Sequence, residues 1–385
     1  MKKFFIFLSS CLVSLFCLEY GLRLIYRVED ELSRYHSNYQ DGRVHLKAMS
    51  SYEWAKDYFR EHWDSHYSKW VPYTYYRSKK YTGEYININD SGLRQTKFNR
   101  ERESSVDVFV FGGSTVYGVG SRDEGTIPSQ IAKIASSHGT PVKVQNFGQM
   151  GYVSTQGVIE LMKLIQRNDI PDIVIFYDGV NDPLASLRSN IGYTLGEDER
   201  AQEFNLLNPL YESDSLKTIL IRFIYKLEIG RLLYELRNNI RESEGSSNSI
   251  ARSSVVDIPK IRTSSKSNLA KETFDLYTHN VRVLNSIARE YGFKAYFFWQ
   301  PIIYSVENLS AEGNQLLNGK IKYNDFYDKV YKHARECSIN NFYDISNVLS
   351  SKDEDYFIDF CHVNEAANTK IAKKMLEVLF NEGAF

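Results

Sequence analysis

The chain has 385 residues, with 47 Lys+Arg against 48 Asp+Glu and 43% hydrophobic residues. That is enough apolar material for one large domain with additions, and the balanced charge leaves no basic excess for a nucleic-acid partner. Four cysteines do not make a disulfide framework: Cys11 and Cys17 fall in the first apolar segment, leaving Cys337 and Cys361, which could pair in an oxidising compartment but are read as separate thiols.

Met1-Lys-Lys3 precedes an apolar run from Phe4 to Leu18, which Glu19 interrupts before it resumes as Tyr20 to Tyr26. Lysines ahead of an apolar segment keep its N-terminus in the cytoplasm and send the rest outside. Glu19 and Arg23 lie one turn apart, where they can pair, and a helix from Phe4 to Tyr26 would then reach across a bilayer of about 30 Å. No small-x-small cleavage site follows. Residues 1–27 are therefore expected to be an uncleaved signal anchor, a transmembrane helix that leaves the remaining chain on the periplasmic or extracellular face.

Residues 28–105 read as an N-terminal extension, polar and aromatic, packed onto the main domain. Tyr85 to Ile88 alternates as a strand does, and Asp90-Ser-Gly92 supplies a turn into Leu93-Arg-Gln-Thr96. His62 and His66 stand at i, i+4 spacing, but no further ligand pair lies nearby, so a solvated helix face is expected rather than a metal site.

From Asp107 the pattern becomes regular. Strands are predicted over Val108 to Phe111, Val142 to Phe147, Ile173 to Tyr177, Lys294 to Gln300 and Phe342 to Asp344. Helix-length amphipathic segments separate them: Ile127 to Ser136, Thr155 to Gln166, Leu269 to Tyr291 closed by Gly292, and Phe326 to Cys337, with Asn364 to Phe380 last. Such alternation gives a parallel sheet covered on both faces, a three-layer α/β/α sandwich. The rhythm fails over about 183–268, where a helix from Leu216 to Asn238 precedes the serine-rich tract Ser243 to Ser267. The main reading is a cap over the cleft; a helix on a membrane surface and simple core packing are the alternatives.

In open α/β sheets ligands sit beyond the carboxyl ends of the strands. The first strand ends on Gly112-Gly-Ser114, which delivers Ser114 there as a nucleophile. After the second comes Asn146-Phe-Gly-Gln-Met-Gly151, where glycine lets a backbone N–H approach a ligand. After the third, Asp178-Gly-Val-Asn-Asp182 presents the Asn181 amide. With the Ser114 N–H, Gly151 and Asn181 are the donors of an oxyanion hole. After the fifth strand, Asp359-Phe-Cys-His362 sets an acid three residues before an imidazole, so that Asp359 can orient His362 as the base that takes the serine proton. Taken singly each piece has an ordinary structural explanation; their shared position at strand ends is what joins them. Gly113 to Gly118 lacks the Lys-Ser/Thr of a phosphate loop, and Gly118-Val-Gly120 lacks the third glycine of a dinucleotide site. No cofactor and no metal are called for.

These blocks, in this order, resemble those of the SGNH (GDSL-like) hydrolase superfamily, and of its membrane-anchored bacterial members in particular. Phe111-Gly-Gly-Ser-Thr115 is similar to the serine block, Asn146 to Gly151 to the glycine block, Gly179-Val-Asn-Asp182 to the Gly-x-Asn-Asp block, and Asp359 to His362 to the Asp-x-x-His block. Trp70-Val-Pro-Tyr73 also resembles elements of the anchored members' extensions. The resemblance covers roughly Val106 to Phe380 apart from the insertion. It implies a flavodoxin-like five-stranded sheet over residues 106–385 and the catalytic set Ser114, Asp359 and His362, with Ser114, Gly151 and Asn181 as oxyanion hole. Two departures are Gly113 and Thr115, where the name-giving motif has Asp and Leu, and Ala367, where glycine is common.

The chemistry expected is ester cleavage through an acyl-serine. Removal of O-acetyl or other O-acyl groups from an envelope or extracellular glycan is the first substrate reading. The alternatives are an O-acyltransferase on a glycan, a lipid or lysophospholipid esterase, and an anchored binding module without catalysis. The oligomeric state is open.

Overall fold

The computed structural model describes residues 2–35, 41–100, 105–189, 192, 266–318 and 324–385. Asp41–Ala201 and Pro259–Phe385 form one compact unit, which takes in the extension from Asp41 onward together with the sheet. The expected cap helix Leu216 to Asn238 lies outside the described residues, as does the serine-rich tract up to residue 265.

The N-terminal helix Lys2–Tyr35 falls in the other unit and is described by itself. Among the described residues no helix is long and apolar enough to cross a membrane. The transmembrane span expected over 1–27 is therefore not supported. The physical reason lies in the sequence of the helix: the apolar run stops at Leu18, Glu19 and Arg23 pair at 3.0 Å as expected, and the helix continues to Tyr35 through a strongly charged stretch.

The extension contributes two hairpins. Strands Ser68–Val71 (β1) and Tyr75–Ser78 (β2) pair antiparallel, and Tyr81–Thr82 (β3) pairs with Asn87–Ile88 (β4). The second was expected around Tyr85 to Ile88; the first was not. It is a short ribbon in which β2 buries Tyr76 and Ser78 while Tyr75 and Arg77 are half-buried, so burial alternates but polarity does not, and Tyr73 and Tyr75 at its tip take positive φ angles of 70° and 67°.

The central sheet is made of Val106–Gly112 (β5), Val142–Asn146 (β6), Ile173–Asp178 (β7), Lys294–Trp299 (β8) and Phe342–Asp344 (β9). All neighbours are parallel, in the order β6-β5-β7-β8-β9. This is the doubly wound flavodoxin-like order, whose topological switch lies beside the first strand. Side chains alternate between two cores, as strand geometry requires. Phe109, Phe111, Val174, Phe176, Phe297 and Trp299 meet the helices Ser154–Ile165, Lys266–Tyr291 and Asn324–Arg335. Val108, Val110, Ile173, Ile175 and Phe298 meet Ile127–Ser137 and Glu365–Asn381 on the other side. Each such buried side chain contributes about 1.5–3 kcal/mol. The predicted three-layer sandwich is thus observed, with short helices such as Ser114–Tyr117, Asn181–Ser189 and Ala311–Asn318 that the sequence did not announce.

A third apolar cluster joins Met49, Tyr58, Phe59, Ile86 and Ile88 of the extension to Tyr117, Val119 and Ile358. Tyr117 and Val119 follow Ser114 closely, and Ile358 precedes Asp359. The extension therefore packs beneath the loops that carry the site.

Candidate active site

Strand β5 ends at Gly112, Gly113 is extended (φ −86°, ψ −151°), and Ser114 opens the four-residue helix Ser114–Tyr117. So short a helix cannot satisfy its own carbonyls, and other segments do so. Asn146 Nδ2 donates to Val116 O at 3.0 Å. Arg94 Nη1 donates to Tyr117 O and Gly118 O at 3.0 and 2.7 Å, and the Tyr58 hydroxyl donates to Gly118 O at 3.2 Å. Arg94 is fully buried; its Nε meets Asp123 Oδ1 at 2.9 Å and its Nη2 donates to Ser121 O at 2.6 Å. Sequence reasoning missed Arg94 and Tyr58, because neither belongs to a motif: Arg94 reaches the serine loop from an irregular segment and Tyr58 from the helix Ala55–Ser65 of the extension.

Ser114 is itself buried. Its Oγ lies 2.7 Å from His362 Nε2, and His362 Nδ1 lies 2.7 Å from Asp359 Oδ2. The turn that holds the last two is closed by a bridge between Phe357 and Val363 and by the Ile358 N–H donating to His362 O at 2.9 Å. Asn364 then caps the final helix, accepting from the Ala367 N–H at 3.0 Å. Ala367, the second departure from the family pattern, is fully buried inside that helix. Asp359 Oδ1 accepts the N–H groups of Cys361 (2.9 Å) and His362 (2.8 Å). Burial pushes the Asp359 carboxyl up, but the His362 charge and these hydrogen bonds outweigh it and hold the group well below the ordinary carboxylate range. Asp359 is therefore an ionised acceptor, and His362 is fixed with Nε2 toward the serine.

Gly151 has a left-handed φ of 72°, a conformation glycine adopts without steric cost. Its loop runs alongside the serine turn: the Gln149 N–H donates to Gly112 O at 3.2 Å, and Tyr152 O accepts from Asn181 Nδ2 at 2.8 Å. An amide nitrogen carries two hydrogens, so Asn181 keeps a second donor after that bond. The amide sits directly over Gly113, where an added Cβ would run into Asn181 Nδ2. Gly113, a departure from the family pattern, is thus explained by the close approach of the Asn181 amide. The structure brings Ser114, Asn181, Asp359 and His362 together and sets the Gly151 loop beside them.

Beneath Asn181, the buried Asp182 accepts from the Ser154 N–H at 3.0 Å and from its Oγ at 2.6 Å, which joins the starts of two helices. Asp178 is buried too; desolvation first and the nearby Asp182 second push its carboxyl well above the usual range.

The other candidates stay apart from this chemistry. His62 is not on a solvated helix face: its ring stacks on Tyr58 at 6.0 Å and its Nδ1 is buried. Burial first, then the charges of Arg43, Arg94 and His362, push its pKa down to about 3. The i, i+4 spacing said nothing of Tyr58 on the same helix, four residues earlier, which covers the ring. His66 is exposed and bonds Trp63 O at 2.7 Å, so the two do not converge. Cys337 and Cys361 are free thiols. Asp359, Cys361 and His362 bring three ligand-type atoms within 4.8 Å of one another, but both His362 nitrogens are engaged by Asp359 and Ser114.

No family model and no curated protein matches the sequence. Solved structures with a similar course of chain include an acetyl xylan esterase, AlAXEase, at 13% identity and a TM-score of 0.36, covering 71% of this chain and 100% of that one. A lipase, Lip_vut3, from a goat rumen metagenome has 13% identity and a TM-score of 0.38, covering 71% and 97%. A member of the lipolytic G-D-S-L protein family from Veillonella parvula has 10% identity and a TM-score of 0.33, covering 71% and 98%. At the carboxyl edge of its own sheet the chain carries a hydrogen-bonded serine, histidine and aspartate, with the Asn181 amide set over Gly113 beside them.

Proposed function

We propose that the chain is a serine ester hydrolase of the SGNH type, with Ser114 as nucleophile, His362 as general base and Asp359 as its orienting acid. The observation that carries this reading is the continuous chain of 2.7 Å contacts from Ser114 Oγ through His362 to Asp359. In the first half-reaction Ser114 Oγ attacks the ester carbonyl carbon while its proton passes to His362 Nε2. The ionised Asp359 stabilises the imidazolium, and the carbonyl oxygen, now an oxyanion, faces the Ser114 and Gly151 N–H groups and the Asn181 amide. Collapse expels the alcohol, which takes the proton from Nε2 and leaves an acyl-serine. Water then gives its proton to His362 and attacks that ester, releasing the acid and restoring Ser114. These steps draw on no cofactor.

The substrate we favour is an O-acylated glycan outside the cytoplasm. Its support is the set of exposed aromatic side chains in the extension: Trp63, Tyr67, Trp70 and Tyr73 are each more than half exposed, and aromatic faces suit sugar rings. The β1–β2 hairpin that bears two of them is bonded to the glycine loop, through Tyr76 Oη to Met150 O at 2.7 Å and the Ser78 N–H to Gln149 Oε1 at 2.9 Å. The purified chain is expected to hydrolyse p-nitrophenyl acetate, and Ser114→Ala to lower kcat by at least about 10³-fold. Faster turnover of long acyl chains would move the reading to lipids, acyl transfer to added oligosaccharide would make it a transferase, and no turnover of any ester would leave a binding module.

A further inference from the structure

The triad acid has a cationic neighbour supplied by the extension. Asp41 accepts the Arg43 N–H at 3.0 Å and takes its guanidinium through two contacts, Nε to Oδ1 at 2.9 Å and Nη2 to Oδ2 at 2.7 Å. The Phe59 ring lies under the guanidinium carbon at 4.5 Å. So fixed, Arg43 directs its remaining nitrogen, Nη1, at Asp359 Oδ2, 3.7 Å away. That oxygen is the one that accepts His362 Nδ1. The segment is itself held by its neighbours: Glu312 of the helix Ala311–Asn318 accepts the Lys47 and Ala48 N–H groups at 2.9 and 3.3 Å, and Asn364, two residues after His362, donates to Ala48 O at 2.9 Å.

We infer that Arg43 is a positioning residue of the triad: it holds the Asp359 carboxylate in place and sets the pH range in which the Asp359–His362 pair can act as a base. The inference rests on the hydrolase reading of the site. Serine, histidine and aspartate suffice for the chemistry, so a fixed guanidinium against the acid is an addition made by the extension. Arg43, Asp41 and Asp359 also line a cavity of about 310 Å³ with Leu46, Leu316 and Phe360, and among its lining residues Arg43 alone is basic.

The charged and titratable groups around Arg43 are Asp41, Asp359, His362, His62, Tyr58 and Cys361. Burial and its charged neighbours keep His62 neutral down to about pH 3, and burial, then Asp359, pushes the Cys361 thiol well above its ordinary value. Neither titrates between pH 4 and 8. A cation beside the pair opposes its protonation, so its removal favours protonation and moves the acid limb of kcat/KM to higher pH. Loss of the Asp41 charge has the opposite sign.

The test compares wild type, Arg43→Met, Arg43→Lys and Asp41→Asn, each checked for folding by circular dichroism. The acid limb of p-nitrophenyl acetate hydrolysis and the pH at which the His362 ring resonances change are both read. Arg43→Met is expected to shift both upward by about half to one unit, Asp41→Asn to shift them downward, and Arg43→Lys to restore the wild-type position. A purely structural salt bridge would lower the stability of Arg43→Met and Asp41→Asn alike and move neither titration; that result overturns the proposal. An active wild type whose variants leave both titrations unmoved defeats the Arg43 inference alone, whereas a wild type inactive on every ester defeats the hydrolase reading and the inference that rests on it.

Discussion

A single methyl group at position 113 tests the proposed oxyanion hole. Alanine there meets the Asn181 amide nitrogen, so Gly113→Ala is expected to displace Asn181 and to lower kcat by about 10²–10³-fold, the usual effect of losing one such donor. Asn181→Ala is expected to cost a similar factor, and the double variant little more than either, because both remove the same interaction. Additive losses in the double variant would mean that Gly113 acts on something other than Asn181. Ser114, Asn181, Asp359 and His362 were legible in the sequence because each ends a predicted strand or follows one, and their order along the chain does not depend on distance. Arg43, Tyr58 and Arg94 were not legible. The contacts that tie them to the site, Arg43 to Asp359, Tyr58 to Gly118 and Arg94 to Tyr117 and Gly118, join residues distant in sequence, and no periodicity reports a contact of that kind.

At the level of elements, the short helix that begins with Ser114 depends on a buried ion pair. Arg94 and Asp123 are almost fully enclosed, and the guanidinium also serves the carbonyls of Tyr117, Gly118 and Ser121. Arg94→Met leaves Asp123 buried without its cation and those carbonyls short of a donor. The expected loss is about 3–5 kcal/mol, read as a lowered urea midpoint. A change below about 1 kcal/mol would show that water readily replaces the arginine. The sheet strands were easy to foresee because residues such as Phe109, Val110, Ile175 and Phe298 are buried on both faces and so form unbroken apolar runs. The β1–β2 hairpin escaped because the buried face of β2 mixes Tyr76 with Ser78, so its polarity does not alternate, and its tip is set by two tyrosines at positive φ.

Over the whole molecule, the extension from Asp41 belongs to the same compact unit as the sheet and the proposed site. It supports the serine loop through Arg94 and Tyr58, the glycine loop through Tyr76 and Ser78, and the triad acid through Arg43. Location is a separate matter from this packing. The proposal that the chain works outside the cytoplasm rests on Lys2, Lys3 and the apolar run from Phe4 to Leu18, while no described helix is long and apolar enough to span a bilayer. Protease added to spheroplasts of the producing cells is expected to digest the chain while cytoplasmic markers survive. Full protection until the cells are lysed would contradict an extracytoplasmic site.

The central claim, that Ser114 is a nucleophile activated by His362, is tested most directly by covalent capture. The full chain is treated with a p-nitrophenyl alkylphosphonate, digested, and examined by mass spectrometry, with Ser114→Ala and His362→Ala treated alongside. One phosphonate per chain on the peptide containing Ser114, none in Ser114→Ala, and labelling slowed by orders of magnitude in His362→Ala are the results expected. Labelling spread over several serines, or equal in the wild type and in His362→Ala, would contradict the account.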